Sequence, residues 1–168
     1  MMDLDRINSG PRVEAEATFL RCCGARRWAE QMATSRPFRS EADLFDAADR
    51  IWRGLARADW LEAFAAHPRI GDLENLRAKF SETAAWSASE QKGLTGTTDA
   101  VLTALSLGNR QYEEKFGHIF IVCATGKTAV EMLALLQERL PNGAEKELLI
   151  AAGEQAKITR LRLQKLGS

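Results

Sequence analysis

Two side chains in this sequence have both the chemistry and the setting for proton transfer, His67 and Glu90. His67 opens the run His67-Pro68-Arg69-Ile70-Gly71-Asp72. Proline disfavours helical geometry in the residue before it and glycine permits a tight turn, so the imidazole is presented from a bend at a helix end. Histidine exchanges protons near neutrality because its reference pKa is about 6.5. The same placement also suits a histidine that only caps the preceding helix through its dipole. Glu90 lies in Ser87-Ala88-Ser89-Glu90-Gln91, where Ser87 and Glu90 have the spacing of a capping box, a device that needs no active site. Read as chemistry instead, a carboxylate followed by the Gln91 amide pairs a charged group with one that can read a lactam edge.

A third stretch, His118 to Ala124, is apolar, rich in β-branched residues and only seven residues long. With no second strand to pair with, it is expected to be a buried extended or irregular segment between helices, whose N–H and C=O groups need other partners, a ligand among the options. Gly126-Lys127-Thr128 imitates the end of a phosphate-binding loop, but that pattern requires glycine where Ile121 stands. What is left is a set of backbone amides near Ile121 to Ala124 that could meet a small polar ligand. Cys123 reads as a core thiol, and His118 as a structural residue.

The elements that must position these groups are helical, because apolar residues recur at intervals of three and four. From Glu41 to Leu55, Leu44, Ala47, Ala48, Ile51 and Leu55 share a face, Ser40 is the cap and Gly54 lies near the end. Helices are also expected from about Pro11 to Cys23, closing at Gly24, and through Trp28 and Met32 before Arg36-Pro37 breaks the chain. A short helix over Asp59 to Ala66 must stop before Pro68. Thr98 or Asp99 can cap a helix that ends at Gly117, while Thr128 with Glu131 and Asn142 with Glu145 open two more, the last reaching about Leu166 with Leu148, Leu149, Ala152, Ile158 or Leu161, and Leu163 as its apolar face. The expected fold is all-α: a single compact multi-helix domain over residues 1–168, with one short extended or irregular apolar segment.

Composition excludes several classes. Lysine plus arginine and aspartate plus glutamate both number 23, so no net positive field draws the chain onto nucleic acid or anionic lipid. Three cysteines, two of them adjacent, make no disulfide framework, and two histidines are too few for a standard zinc cluster. No metal site is expected. The chain shows no nucleophile elbow, Cys-x-x-Cys pair or Gly-x-Gly-x-x-Gly fingerprint, which disfavours the common cofactor classes. With no secretory signal and no apolar run near the roughly 20 residues of a membrane span, a cytoplasmic location is expected.

Taken in order, His-Pro-Arg-Ile-Gly-Asp at 67–72, Ser-x-x-Glu-Gln at 87–91, Asn-x-x-Tyr-x-x-Lys-Phe-Gly at 109–117, Phe-Ile-Val-Cys-Ala-x-Gly-Lys at 120–127 and the C-terminal Glu154-x-x-Lys157-Ile158 with Arg162-Leu163 resemble one family. It is 2-oxo-4-hydroxy-4-carboxy-5-ureidoimidazoline (OHCU) decarboxylase. The resemblance implies an all-helical, homodimeric carboxy-lyase that needs no metal or organic cofactor and forms (S)-allantoin after urate oxidation and hydrolysis. It also implies that His67 is the catalytic acid/base, Glu90 the active-site glutamate, Gln91 a neighbouring amide contact and Pro68 part of the pocket wall. Phe120, Ile121, Val122, Cys123 and Ala124 match the segment whose backbone holds the ring, and Arg162, with Arg160 two positions away, matches an arginine near the substrate carboxylate. Ser87, at the capping distance from Glu90, is counted among the substrate contacts. Thr125 departs from the arginine that many relatives carry there, which removes a charge role from that position. The competing readings are a non-catalytic helical interaction module, in which His67 and Glu90 are caps, and a lyase or hydrolase acting on a related ureide.

Overall fold

The computed structural model describes residues 2–68 and 88–166, apart from the side chains of residues 88–98. Among the described residues there are eight helices and no strand: α1 (Leu4–Ser9), α2 (Arg12–Cys22), α3 (Arg26–Thr34), α4 (Glu41–Arg53), α5 (Arg57–Ala65), α6 (Ala88–Phe116), α7 (Ala129–Arg139) and α8 (Ala144–Lys165). The all-α expectation holds. No described helix is long and apolar enough to cross a membrane. The chain divides into two compact units, one of residues 1–67 with 150–168 and one of residues 68–149.

In the first unit α3 packs against α2, α4 and α5. Local signals set α4 as expected: Ser40 Oγ accepts from the Asp43 N–H at 3.1 Å, Glu41 and Asp43 place negative charge at the helix N-terminus, and Gly54 closes the far end. Its buried face is Leu44, Phe45, Ala47, Ala48, Ile51 and Trp52, whereas Leu55 falls beyond the last turn. Three tryptophans tie the unit together, since a buried indole N–H needs an acceptor. Trp28 donates to the Ala48 carbonyl at 3.1 Å, Trp60 to Trp52 at 2.9 Å, and Trp52 to Ala152 on α8 at 2.9 Å. Phe19 meets Trp28 edge to face, with ring centroids 6.0 Å apart.

Helix α5 begins at Arg57, two residues before the expected Asp59. Asp59 is the third residue of the helix, and its carboxylate accepts from the Ala56 N–H at 3.1 Å. Between α2 and α3 the chain passes so close to the end of α5 that a Cβ on Gly24 would lie 2.3 Å from the Ala66 Cβ. Only glycine lets the two segments approach this far.

In the second unit α6 packs on α7 around Leu102, Leu105, Tyr112, Met132 and Leu136. The expected start at Thr98 or Asp99 is corrected, because α6 begins at Ala88, directly after Ser87 in sequence. Gly93, Gly96 and threonines at 95, 97 and 98 have low helix propensity and read locally as a boundary, yet the backbone runs helical through them. The expected end holds, with Gly117 at φ +75° donating its N–H to the Glu113 carbonyl at 2.9 Å. Thr128 and Glu131 form the expected capping box on α7. Asn142 does not cap α8. The first turn closes on the Gly143 carbonyl, and the Asn142 amide donates to Glu147 at 3.1 Å. Leu149 is exposed, contrary to expectation, while Leu148, Ala152 and Leu163 are buried.

Candidate functional site

His67 stands where the sequence places it. Helix α5 ends at Ala65, and the His67 N–H makes a last turn contact with the Phe64 carbonyl at 3.2 Å before exposed Pro68. The imidazole is half-buried, and its Nε2 lies 2.5 Å from Oε1 of Gln155 on α8. Gln155 is fully buried, and its amide nitrogen donates to Thr159 Oγ1 at 3.2 Å, one turn farther along the helix.

Gln155, Thr159 and Arg162 follow the spacing i, i+4, i+7 and share one face of α8. Arg162 is half-buried and donates to the Cys22 carbonyl at 3.3 Å. Arg160 is turned elsewhere: its guanidinium lies 4.3 Å from the centroid of the Phe45 ring and 3.8 Å from Asp49 Oδ2. Burial pushes the Cys22 and Cys23 thiols up from 9.0 to about 11, only partly offset by Arg162 and, at Cys23, by the Ala25 backbone N–H.

The His118–Ala124 segment is irregular, as expected, and its burial alternates. Ile121 and Cys123 are buried, and Phe120, Val122 and Ala124 are half-buried against the α6–α7 core. Its carbonyls find cationic donors in place of a neighbouring strand. Arg139 Nη1 donates to Ile121 at 2.7 Å and Lys127 Nζ to Cys123 at 2.9 Å. The Arg139 guanidinium also lies 4.5 Å from the Phe120 ring centroid, a cation–π contact in a dry setting.

Arg139 is itself held by fully buried Glu147. Nη2 and Nε approach one carboxylate oxygen at 2.5 and 2.6 Å, and the Tyr112 hydroxyl donates to the same oxygen at 2.5 Å. Burial, and next the bond to Glu147, push the Tyr112 phenol above its ordinary range, so it stays a donor. His118 is buried against the Phe116 and Tyr112 rings, with Nδ1 3.1 Å from the Ile119 carbonyl.

The backbone of Glu90 and Gln91 belongs to the first turn of α6, whereas their side chains and all of Ser87 lie outside the described residues. Of the other expected site residues, His67 and Arg162 fall in the first unit, where Gln155 and Thr159 connect their positions along α8. Pro68 and Phe120 to Ala124 fall in the second. Sequence reasoning missed Gln155, Arg139 and Glu147. The available signal was a polar residue at an otherwise apolar helical position, as at Gln155 between Ala152 and Thr159.

A family model described as OHCU decarboxylase matches residues 8–164. The chain is 46% identical over 148 residues to the uric acid degradation bifunctional protein TTL of Arabidopsis thaliana, covering 88% of this chain but only 45% of that protein. It is 33% identical to the 2-oxo-4-hydroxy-4-carboxy-5-ureidoimidazoline decarboxylase of Amia calva, over 97% of this chain and 93% of the relative. Among solved structures, it resembles a crystal structure of OHCU decarboxylase in the presence of (S)-allantoin, with TM-score 0.71, 40% identity, and coverage of 94% of this chain and 98% of that one.

Proposed function

The chain belongs to the OHCU decarboxylase family, and on that premise we propose that it decarboxylates 2-oxo-4-hydroxy-4-carboxy-5-ureidoimidazoline to (S)-allantoin in urate breakdown. The observation that carries this reading is the setting of His67, a half-buried imidazole at a helix end, oriented by a fully buried amide and on the same unit as Arg162. A histidine serving only as a helix cap does not need that second, buried partner.

In the proposed reaction the bond from the ring to the carboxylate breaks and carbon dioxide leaves. The electron pair is taken up through the neighbouring imine of the substrate itself, so the chemistry needs neither pyridoxal phosphate nor thiamine. The ring nitrogen that receives the pair is protonated from solvent, the one net proton the reaction consumes; the hydroxyl then gives up its proton as it becomes a carbonyl, and a proton arrives on the ring carbon that bears the ureido group. We assign these last two proton transfers to His67 and Glu90, and delivery of the carbon-bound proton to a single face of the ring sets the S configuration. By the family resemblance, Gln91, Ser87, Pro68 and the Phe120–Ala124 backbone are the further substrate contacts. The carboxylate falls to Arg162, which shares its helix face with Gln155, and not to Arg160, which is engaged with Phe45 and Asp49. We further propose that the protein is cytoplasmic and homodimeric; light scattering of the purified chain tests the dimer, and fractionation of the source cells tests the location.

The decisive assay mixes the protein with freshly generated OHCU and follows circular dichroism. Rapid appearance of (S)-allantoin is expected, unaffected by chelators; a rate no faster than the spontaneous, racemising decay overturns the reading. His67→Asn and Glu90→Ala should each lose most turnover with little change in melting temperature. Retention of the wild-type rate by both variants overturns the site assignment.

A further inference from the structure

We infer that Gln155 is the positioning residue of His67, fixing which imidazole nitrogen carries the proton and the plane in which the ring lies. The inference rests on the proposed role of His67 and adds a residue and a tautomer to it.

A side-chain amide has one accepting end and one donating end, and a buried amide must satisfy both. Gln155 is 0% exposed. Its donating end is committed to Thr159 Oγ1 at 3.2 Å, on the next turn of the same helix and itself buried. Oε1 is the atom that faces His67 Nε2, at 2.5 Å. An amide oxygen can only accept, so Nε2 carries a hydrogen. In the neutral imidazole Nδ1 is then the basic nitrogen, the one that takes a proton during turnover. Because both ends of the amide are held, the ring is oriented by a rigid partner, and an uncharged amide orients it without placing a second charge beside it. Gly24 works toward the same end. Its missing side chain lets the α2–α3 connection sit against Ala66, the residue directly before His67.

The test has two arms. In the first, long-range proton–nitrogen correlation spectra of the full chain read the His67 tautomer without any substrate. The chain has only two histidines, so the His67→Asn spectrum identifies the His67 signals by their loss. The neutral ring should be in the Nε2–H form in the native protein and a mixture of both forms in Gln155→Met, which keeps the length and bulk of the side chain but has no amide. An Nδ1–H ring in the native protein overturns the inference.

In the second arm, kcat of Gln155→Met should fall about 10- to 100-fold with KM changed less than threefold, the pattern expected of a misaligned catalytic group. Gln155→Glu, which keeps an acceptor in place, should recover part of the loss. A wild-type kcat in Gln155→Met, with (S)-allantoin still formed, overturns the positioning role while leaving the decarboxylase reading intact. Failure of the unmodified chain to accelerate OHCU decay overturns the decarboxylase reading, and the spectra still decide the tautomer.

Discussion

Replacing Arg139 with methionine should be among the most damaging single changes available away from His67. The guanidinium is nearly fully buried, with 6% side-chain exposure, and it faces a Glu147 side chain with 0%. Methionine preserves much of the apolar stem but leaves the carboxylate, among the described residues, with the Tyr112 hydroxyl and the Asn142 amide, and takes the Arg139 donor from the Ile121 carbonyl. Removing one partner of a buried ion pair costs about 3–5 kcal/mol, because an uncompensated charge stays in the interior. Domains of this size are held by about 5–15 kcal/mol in total, so the variant should retain only a fraction of its stability. With a urea m-value of about 2 kcal/mol/M, the midpoint should fall by about 2 M. The double variant Arg139→Met with Glu147→Leu removes both charges and should recover most of the loss. Urea unfolding followed by far-UV circular dichroism checks both. A loss below about 1 kcal/mol in the single variant, or a double variant whose loss is the sum of the two singles, would refute the view that the pair acts as one buried unit.

Gly24→Ala forces two methyl carbons to 2.3 Å, well inside the roughly 3.5–4.0 Å of normal carbon contact, and neither can rotate away. The end of α5 must therefore shift, which should cost about 1–3 kcal/mol and slow the reaction in which we propose His67 takes part. Gly153→Ala, with nothing within 4 Å of the added carbon, serves as the control, and equal losses in melting and rate assays would contradict the packing argument. Gly153→Ala lies in the exposed interior of α8 with open space around it, so it should stabilise by about 0.5–1 kcal/mol, and a lower melting temperature would count against that. The Cys22 and Cys23 thiols, raised to about 11, should react slowly with a disulfide reagent at pH 8 and quickly in denaturant. Below about pH 8 both are protonated in folded and unfolded chains alike; between the ordinary value of 9.0 and about 11 the unfolded chain releases protons that the native chain keeps. Stability should therefore fall as pH rises through that window, and native thiols as reactive as denatured ones would exclude it.

Local hydrogen bonding explains which parts of this fold were legible in the sequence. Ser40, Thr128 and Gly117 mark helix ends through bonds that span no more than four residues, so their types and spacing suffice to place them. His67 at the end of α5 belongs to the same class, because Pro68 restricts its neighbour whatever the rest of the chain does. Where local signals compete, they mislead: the glycines and threonines between Gly93 and Thr98 read as a break inside what is one helix, and Asn142 has a capping spacing that its amide spends on Glu147.

The sequence alone thus determined the helical class, most helix ends, and the presentation of an imidazole at a bend, and its ordered motifs pointed to the family. Only the tertiary structure decided what happens to polar groups inside apolar faces. Gln155 meets His67 from 88 residues away, and Arg139 reaches the Ile121 carbonyl while Glu147 and Tyr112 hold it. Arg160 and Arg162, equivalent on paper, are separated by the two helix faces they occupy. A buried donor or acceptor must be satisfied, but nothing in its own neighbourhood of the chain says by which partner, and that choice is made when distant helices pack.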